Sequence, residues 1–421
     1  MTEPSQNGVT DTDVLIVGGG PAGSIAGILL ARQGIQASIL EKNARGHRKI
    51  CGDLLGSRSL QFLDGLEIDW TTKQAEGLPI EGIQVFDEKG LKSVAYLEKK
   101  PGKDPVGITL RRDRLDSYLQ EKAEASGCNL LQGVKFRDFV GREENSLLCR
   151  ASSDGEDHLF RAKLVLGADG VQSATARAAG LFERRPEVML LAVRGYYRNV
   201  EGLRNTIELY PLLNLQPGYA WVIPLSRNLA NIGLGVRADV CRRDRVRLQK
   251  ELVRFVSEHP DLAPRMERAR PDGPVQGWPL TAYGSVQRLS GPHVLFLGDA
   301  GGFIDPLSGE GIFGAMQSAW IAVDVVREAL HRRTFTADFL ATYDERCRRF
   351  FKGDFGSAAV VTAFLAHPTL GKPLAMWALK KVEKNCVLDE DYARMIAGFF
   401  TGMYPRKRFL KPKWLAKTIF A

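Results

Sequence analysis

Short apolar runs and amphipathic segments alternate along the first forty residues of the chain. Residues 14–17, Val-Leu-Ile-Val, form an apolar run that leads into a cluster of glycines, which is typical of a buried strand followed by a turn. The segment from Ser24 to Arg32 is predicted to be a helix that ends before Gly34, and residues 37–40 are predicted to be a second strand. This order of strand, turn, helix and strand predicts the beginning of a parallel α/β sheet.

Two later blocks carry a different pattern. Residues 83–97 and 189–236 contain alternating or apolar strand-like runs broken by Gly, Pro and Asn, which predicts a separate antiparallel sheet. Between these blocks, a helix is predicted over 112–125 and a buried strand over 163–166. The domain with the parallel sheet is therefore predicted to be discontinuous in sequence.

The last part of the chain is predicted to be mainly helical. An apolar strand over 294–297 precedes a long helix from about Gly311 to Arg332, and the remainder reads as helical and basic. We therefore expect three parts, with ligands bound near their junction. The predicted boundaries are residues 1–80, 105–185 and 281–340 for the domain with the parallel sheet, 81–104 and 186–280 for the domain with the antiparallel sheet, and 341–421 for the helical, basic C-terminal region.

Composition agrees with a globular protein of two or three domains. The 421 residues are 44% hydrophobic and 25% charged, which excludes a mainly disordered chain. The formal net charge of +9 suits phosphates, acidic substrates or an anionic membrane surface, and by itself it selects none of them. The six cysteines lie far apart without a C-x-x-C pair, which favours a reducing, cytoplasmic setting, and we predict no metal site.

No export signal and no membrane span are predicted. Residues 1–13 are polar and acidic, where a secretory signal would need a basic start and an apolar run. The longest apolar helical stretch, 311–326, contains Gln317 and Asp324 and is shorter than the roughly 20 residues that span a bilayer. We therefore expect a protein that does not cross a membrane.

The glycine cluster after the first strand fits the G-x-G-x-x-G pattern of dinucleotide-binding turns. It spans residues 18–23, directly between the predicted strand and helix, where a glycine backbone lets a pyrophosphate approach the helix N-terminus. Glu41 ends the second strand, where its carboxylate can accept hydrogen bonds from the ribose of an adenosine. The alternative is a glycine-rich turn with a surface Glu. The residues predicted to bind the cofactor here are Gly18, Gly20, Ala22, Gly23, Glu41 and Lys42.

The segment before the long helix distinguishes FAD from NAD. Residues 298–312, GDAGGFIDPLSGEGI, follow a buried strand and resemble the FAD-dependent oxidoreductases of the p-hydroxybenzoate hydroxylase type. The resemblance implies that Asp299 binds the ribityl chain and that Gly311 and Ile312 lie under the flavin ring. A positive helix end at this place would stabilise the anionic edge of a reduced flavin.

Three further positions match the same family. Residues 166–173, LGADGVQS, resemble its Asp-Gly segment, with Asp169 as the predicted binding residue. Arg112 occupies the position whose side chain holds the FAD ribose or phosphates, and Val134 matches the position whose backbone touches adenine. For Arg112 alone, a solvated cation at a helix start fits equally well. Since only the G-x-G-x-x-G at residues 18–23 lies directly between a predicted strand and helix, no permanent nicotinamide domain is predicted, and electrons are expected from transient NAD(P)H or from a protein donor such as a ferredoxin.

A cysteine segment points to one branch of this family. Residues 49–55, KICGDLL, closely resemble the Lys-x-Cys-Gly-Asp/Gly segment of the geranylgeranyl reductases, in which the cysteine lies beside the flavin. The resemblance implies hydride transfer from flavin N5 to one alkene carbon, with Cys51 or a nearby water giving the proton to the other carbon. A cysteine that acts only as a small hydrophobe fits Cys51 equally well.

The strand-like residues 217–224 also indicate which branch of the family the chain resembles. Their sequence, PGYAWVIP, resembles the Tyr-x-Trp-x-Phe-Pro segment of the reductases, with Ile223 in place of Phe. It also approaches the Trp-x-Trp-x-Ile-Pro signature of flavin-dependent halogenases, but Tyr219 stands at the first Trp and the halogenase lysine is not found. Tyr219 and Trp221 are predicted to contact the substrate, or else to pack the sheet as strand aromatics.

The C-terminal residues 406–420 contain six cations and no acid, interleaved with large apolar groups. On a helix, Trp414, Leu415 and Ile419 share one arc, which suits peripheral docking at a membrane interface. A solvated tail, or one that packs on a domain, fits the same residues. No recognition motif accompanies the charge, so nucleic acid binding is not expected.

We therefore expect an α/β protein with a doubly wound, Rossmann-like FAD-binding domain, an antiparallel β-sheet substrate domain and a helical C-terminal region. The expected reaction is FAD-dependent reduction of an isolated C=C bond in a prenyl-like or other apolar substrate, bound in an apolar tunnel beside the flavin. The alternatives are a monooxygenase that epoxidises or hydroxylates such a substrate through a C4a-hydroperoxide, a halogenase, and a non-catalytic FAD-binding partner protein. The oligomeric state stays open.

Overall fold

The computed structural model describes residues 8–70, 77–87, 90–96, 107–401, 406, 411–413 and 416. In chain order its strands are β1 (Val9–Val17), β2 (Ala37–Glu41), β3 (Leu54–Gly56), β4 (Leu78–Ile80), β5 (Gly82–Asp87), β6 (Gly90–Tyr96), β7 (Gly107–Thr109), β8 (Asn129–Gln132), β9 (Lys135–Arg142), β10 (Leu147–Ser153), β11 (Glu156–Gly167), β12 (Leu190–Arg198), β13 (Thr206–Pro211), β14 (Tyr219–Pro224), β15 (Leu229–Arg237), β16 (Arg270–Pro271), β17 (Gln276–Leu280), β18 (Ser290–Gly291) and β19 (Val294–Phe296). Its helices are α1 (Pro21–Arg32), α2 (Ser57–Gly65), α3 (Arg112–Ala125), α4 (Ala174–Ala178), α5 (Ala238–Arg243), α6 (Leu248–Glu258), α7 (Ile312–Arg332), α8 (Ala337–Phe351), α9 (Ser357–Leu365), α10 (Gly371–Leu388) and α11 (Glu390–Thr401).

A largely parallel sheet forms the centre of the nucleotide-binding part. Its strand order is β18–β19–β11–β1–β2–β8, and the pairs from β19 to β8 all run parallel. The strands β9 and β10 extend it by antiparallel pairing on β11, while α1 packs between the sheet and the helices α3 and α7. The α/β fold with a Rossmann-like domain that the sequence predicts is confirmed.

The apolar run of β1 is continuous because both faces of the strand are buried. Val14 and Ile16 belong to the core that contains α1, α3 and α7, whereas Leu15 and Val17 belong to the core under β9 and β10. All four side chains are at most 5% exposed. Such burial on both faces is typical of strands in parallel sheets, and it explains why no alternation is visible at 14–17.

A second sheet has the order β16–β12–β15–β14–β13–β5–β6, with β17 also paired to β12. Its pairs are antiparallel, as predicted, except that β13 and β5 run parallel. More than a hundred residues separate these two strands, so no hairpin fixes their relative direction. The helix α6 covers one face of this sheet through Leu252 and Phe255. A small third sheet, β3–β7–β4, was not predicted.

The long helix predicted from about Gly311 to Arg332 is confirmed as α7. It begins after Gly311 and ends at Arg332, and the next residue, Arg333, has a left-handed φ of 49°. Asp324, which interrupts the apolar pattern of the helix, pairs with Arg346 of α8. Among the described residues, no helix is both long and apolar enough to span a membrane, and no cluster of three or more His, Cys, Asp or Glu suits a metal ion.

Arg406 ties the C-terminal segment to the loop before α7. Most of the predicted tail over 406–420 lies outside the described residues, but Arg406 is described and fully buried. Its Nη2 donates to Oδ2 of Asp305 at 2.6 Å, and its amide donates to Oδ1 of Asp354 at 2.9 Å. Arg406 is therefore not one of the cations that face solvent or a membrane.

We expect Arg406→Met to lower the free energy of unfolding by about 3–5 kcal/mol, because Asp305 would stay buried without its counter-charge. Denaturation by guanidinium chloride measures the change. Arg268→Met removes a cation that is 85% exposed and should change the stability by less than about 0.5 kcal/mol. Adding Asp305→Asn to Arg406→Met should recover part of the loss. Wild-type stability of the Arg406→Met protein would contradict the pairing.

Candidate active site

The turn between β1 and α1 leaves the beginning of α1 open. Gly18 has a φ of 107°, and a Cβ there would lie 2.4 Å from the carbonyl oxygen of Ala168. A Cβ on Gly23 would lie 1.8 Å from the Gly18 carbonyl oxygen, so only glycine lets the helix approach the turn this closely. Among the described residues, no atom lies within 4 Å of a Cβ built on Gly20, and no side chain caps the helix. The first amides of α1 are therefore accessible to an anion.

Glu41, at the end of β2, reaches this turn. Its Oε2 accepts a hydrogen bond from the Gly19 amide at 2.8 Å, and its Oε1 accepts one from the Asn43 amide at 2.9 Å. The Val134 amide donates to the Glu41 carbonyl oxygen at 3.0 Å. Glu41 and Val134, which the sequence singles out separately, thus lie side by side next to the turn. Lys42 is exposed.

Gln120 on α3 is a neighbour of the turn that no sequence motif marks. Its Nε2 donates to the Gly19 carbonyl oxygen at 2.9 Å. Its buried Oε1 accepts no hydrogen bond from any residue that the structure describes. Because buried polar groups in proteins are normally paired, this acceptor fits a ligand that donates a hydrogen bond, such as a ribose hydroxyl.

The first turn of α7 is a second helix end with an incomplete cap. The Phe313 amide donates to Oε1 of Glu310 at 2.8 Å, whereas Gly311 has no side chain with which to cap the helix. Burial raises the pKa of Glu310 above its ordinary value, although the Phe313 amide favours the carboxylate. The amide dipoles at this helix end therefore remain available to a negative group.

Both helix ends meet in one cavity. Pro21 of α1 lines it together with Asp299, Gly311 and Ile312. Lys49 also lines it, with Nζ at 3.3 Å from Oδ2 of Asp299. Since helix N-termini carry partial positive charge, the cavity offers favourable sites for negative groups at two places.

The sequence-predicted residues fall into two groups. Those around the turn are Gly18, Gly20, Ala22, Gly23, Glu41 and Val134, of which Ala22 is buried in the core. Those that line the cavity are Cys51, Arg112, Tyr219, Trp221, Asp299, Gly311 and Ile312. The Cα of Asp169 would lie 3.1 Å from a Cβ built on Gly18, but the two carboxylate oxygens of Asp169 accept hydrogen bonds from the Thr175 amide and hydroxyl and fix the start of α4.

Arg112 is buried beside Cys51. Its side chain is 5% exposed, and its Nε and Nη2 donate to the two carboxylate oxygens of Asp116 at 3.0 and 2.8 Å. Burial acts to lower the pKa of Arg112, but Asp116 and the neighbouring Cys51 thiol raise it above its ordinary value. The alternative of a solvated cation is therefore wrong for Arg112.

Asp53 holds the Cys51 segment in place, although the sequence did not mark it as a site residue. It is fully buried, with a left-handed φ of 60°. Its Oδ2 accepts from the Tyr196 hydroxyl at 2.6 Å and from Nδ2 of Asn231 at 2.9 Å, and its Oδ1 accepts from the Arg112 amide. Burial raises the pKa of Asp53 even though these donors favour the carboxylate. Asn231 also donates to the Cys51 carbonyl oxygen, which fixes the segment against β12 and β15.

Tyr219 and Trp221 both pack the second sheet and line the cavity. Nε1 of Trp221 donates to Oδ1 of Asn231 at 3.0 Å, and its ring lies over Gly233, where a Cβ would lie 2.3 Å from the ring. The Tyr219 hydroxyl donates to the Ser308 carbonyl oxygen, which joins β14 to the loop before α7. Burial raises the pKa of Tyr219, so the hydroxyl stays protonated at neutral pH.

The cavity has a volume of about 850 Å³ and a mainly apolar lining. It extends from the two helix ends, along the second sheet, to the C-terminal helices, where Leu365, Ala375 and Ile396 line it. This volume is in the range of sites that enclose a cofactor ring or a small ligand.

The residues present fit FAD. The open backbone at Gly20 would hold its diphosphate, and Glu41 with the unpaired Oε1 of Gln120 would bind ribose hydroxyls. Asp299 and the beginning of α7 at Ile312 would hold the ribityl chain and the ring.

Comparisons with known proteins agree with this fit. The profile of the FAD binding domain family matches residues 11–353. The digeranylgeranylglycerophospholipid reductase of Thermoplasma acidophilum is 28% identical over 352 residues, which cover 81% of this chain and 84% of that protein. The digeranylgeranylglycerophospholipid reductase 1 of Methanothermobacter thermautotrophicus is 29% identical over 351 residues, which cover 81% of this chain and 83% of that protein.

Solved structures share the fold. The geranylgeranyl bacteriochlorophyll reductase-like protein of Thermoplasma acidophilum has a TM-score of 0.79 at 22% identity and covers 96% of this chain and 99% of its own. The flavin-dependent brominase Bmp2 has a TM-score of 0.70 at 20% identity, and the match covers 90% of this chain and 93% of the brominase chain. The predicted resemblance to geranylgeranyl reductase-like flavoproteins is confirmed by these relatives.

Because the family profile spans most of the chain, this protein belongs to the FAD binding domain family and is an FAD-dependent oxidoreductase.

Proposed function

We propose that this protein reduces an isolated C=C bond in a long, apolar, prenyl-like substrate. The observation that carries the proposal is the apolar cavity of about 850 Å³ that begins at Cys51 and the two helix ends. Burying hydrocarbon contributes about 0.8 kcal/mol per CH2, so such a lining favours an apolar chain. The relatives named digeranylgeranylglycerophospholipid reductases support the same class of substrate.

The net reaction adds two electrons and two protons to the alkene. FAD, when bound and reduced, supplies a hydride to one alkene carbon. The electrons would come from transient NAD(P)H or from a protein donor such as a ferredoxin, since the sequence has a single dinucleotide-binding turn. One proton from the protein or from water completes the second C–H bond.

Cys51 is the side chain best suited to deliver that proton. It lines the cavity, and its backbone carbonyl is held by Asn231. The Arg112 guanidinium lies beside the thiol. Two other polar groups nearby are engaged, because Asp53 accepts three hydrogen bonds and the Tyr219 hydroxyl donates to Ser308.

Oxygen insertion and halogenation rank below reduction. An apolar cavity would also suit a monooxygenase, but the Cys51 segment and the named relatives both favour reduction. The brominase shares only the fold, and Tyr219 occupies the position of the first tryptophan of the halogenase signature.

The far end of the cavity supports entry of a lipid-like substrate. Leu365, at the end of α9, lines the cavity, and α9 and α10 form a helical hairpin there. Phe364 and Trp377 of this hairpin are 47% and 43% exposed, and Lys372 and Lys380 are exposed on α10. Exposed apolar groups bordered by lysines suit the surface of an anionic membrane, from which an apolar chain would enter.

Anaerobic incubation of the FAD-loaded protein with geranylgeraniol and dithionite should give products heavier by two hydrogens for each reduced bond, because the alkene accepts a hydride and a proton. Mass spectrometry measures the products. A product that gains one oxygen in air, with no anaerobic reduction, would support the monooxygenase instead. If no electron acceptor reoxidises the reduced flavin, the result would favour the alternative of a non-catalytic FAD-binding partner protein.

Cys51→Ala should slow alkene reduction by about 100-fold or more, the usual contribution of a positioned proton donor. Reduction of the bound flavin by dithionite should not change. Stopped-flow absorbance separates the two steps. Cys149→Ala is the matched control, since Cys149 is buried in the core under β9 and β10 and should leave both rates unchanged. Unaltered alkene turnover in Cys51→Ala would exclude the thiol as the proton donor.

The double variant Phe364→Ser/Trp377→Ser should bind phosphatidylglycerol vesicles about tenfold less well than wild type, because it removes two partly exposed apolar groups that would enter the interface. Co-sedimentation measures the binding, with phosphatidylcholine vesicles as the uncharged comparison. Val253→Ser, at a 58% exposed position on α6, is the control. Equal binding by the double variant, or no binding by wild type, would argue against docking through this hairpin.

A further inference from the structure

Arg194 on β12 is a buried cation, and two of its donors have no acceptor among the described residues. Its side chain is 3% exposed and lines the cavity. Within the part of the chain that the structure describes, neither Nε nor Nη2 has a hydrogen-bond acceptor. Buried guanidinium groups in folded proteins are paired, because removing a charge from water without a partner is strongly destabilising. The wall of the cavity thus includes a residue with buried donors that no described residue satisfies.

The two unpaired donors are those that form a side-on fork. Nε and Nη2 lie along one edge of the guanidinium and bind two acceptors at once. Two other arginines that line the cavity use the same two nitrogens. Nε and Nη2 of Arg112 donate to the carboxylate of Asp116, and those of Arg237 donate to the carboxylate of Asp239. Arg194, a residue of the cavity lining, therefore has no acceptor among the described residues for the fork that the other two arginines direct at a carboxylate.

The neighbours of Arg194 orient its guanidinium without satisfying it. The guanidinium carbon lies 4.2 Å from the centre of the Tyr196 ring, a cation–π contact that provides no acceptor for the fork. The Asp53 charge attracts Arg194, but both Asp53 oxygens accept hydrogen bonds from other donors. The register partner of Arg194 on β15 is Gly233, which has no side chain.

We infer that Arg194 binds, through this fork, a ligand group that carries two adjacent electron-rich acceptors, such as a carboxylate or a phosphate. Two ligands of the cavity have this chemistry. One is an acidic end group on the substrate, and the other is the pyrimidine edge of the flavin, which gains negative charge on reduction. The inference rests on the proposed function only in taking the cavity as the binding site of these two ligands.

The test compares FAD-loaded wild type with Arg194→Met, which keeps an unbranched side chain and removes the fork. Arg268→Met, at an 85% exposed position, is the matched control. One measurement is the dissociation constant of oxidised and of reduced FAD. The other is the affinity for geranylgeranoic acid and for geranylgeraniol, followed by the visible spectrum of the bound flavin. Neither measurement needs turnover, so a failure of the proposed reaction would not affect them.

A tenfold or greater loss of affinity for either form of FAD would support the inference and identify the flavin as the partner of Arg194. A tenfold loss for the acid alone, with the alcohol unchanged, would support it and identify the substrate. Arg194→Lys, which keeps the charge without the fork, provides the same comparison if Arg194→Met does not fold. Unchanged affinities, or an equal loss for acid and alcohol with FAD unaffected, would overturn the inference.

Discussion

Two helix N-termini that open on one cavity are the constraint on which the rest of this structure depends. The amides at the beginning of α1 and α7 favour negative groups. Among the described residues no side chain caps α1, whereas at α7 the Glu310 carboxylate accepts from the Phe313 amide. Gly20 precedes α1, and Gly311 precedes α7. The parallel sheet positions α1. The loop before α7 is held by Asp305, which accepts from the Leu307 amide, and by the Tyr219 hydroxyl. The architecture thus brings two helix ends that favour negative groups to a single cavity.

A buried polar network connects the second sheet to this cofactor region. Because each polar group in such a network needs its partner, the network strongly favours one arrangement of the Cys51 segment. Asp53 is the centre of that arrangement, and its donors come from β12, β15 and the start of α3. The result is a cavity whose polar groups are concentrated near the cysteine, while the remaining lining is mainly apolar. This separation is what a reductase of apolar chains requires, since the chain needs an apolar path and the reacting carbon needs a proton.

The sequence predicted features whose cause is local. The strand at 14–17, the glycine turn after it and the beginning of α7 at Gly311 each follow from one short segment, because burial patterns and turn chemistry act over a few residues. The network around Asp53 was missed because its partners Tyr196 and Asn231 lie 143 and 178 positions away. The parallel pairing of β5 with β13 was missed for the same reason. Only the folded chain brings such residues together, and no single-sequence pattern records their proximity.

FAD binding by wild-type and Gly20→Ala protein tests the role of the α1 end most directly. A Cβ on Gly20 meets no described atom within 4 Å, so the FAD-free variant should fold and lose no more than about 1 kcal/mol of unfolding free energy, the usual cost of alanine at a helix N-cap. The added methyl group would stand between the helix amides and the cofactor diphosphate. We therefore expect one FAD per wild-type chain and an affinity lower by about tenfold or more in the variant. A wild-type protein that binds no FAD, or a variant that binds it equally well, would contradict this.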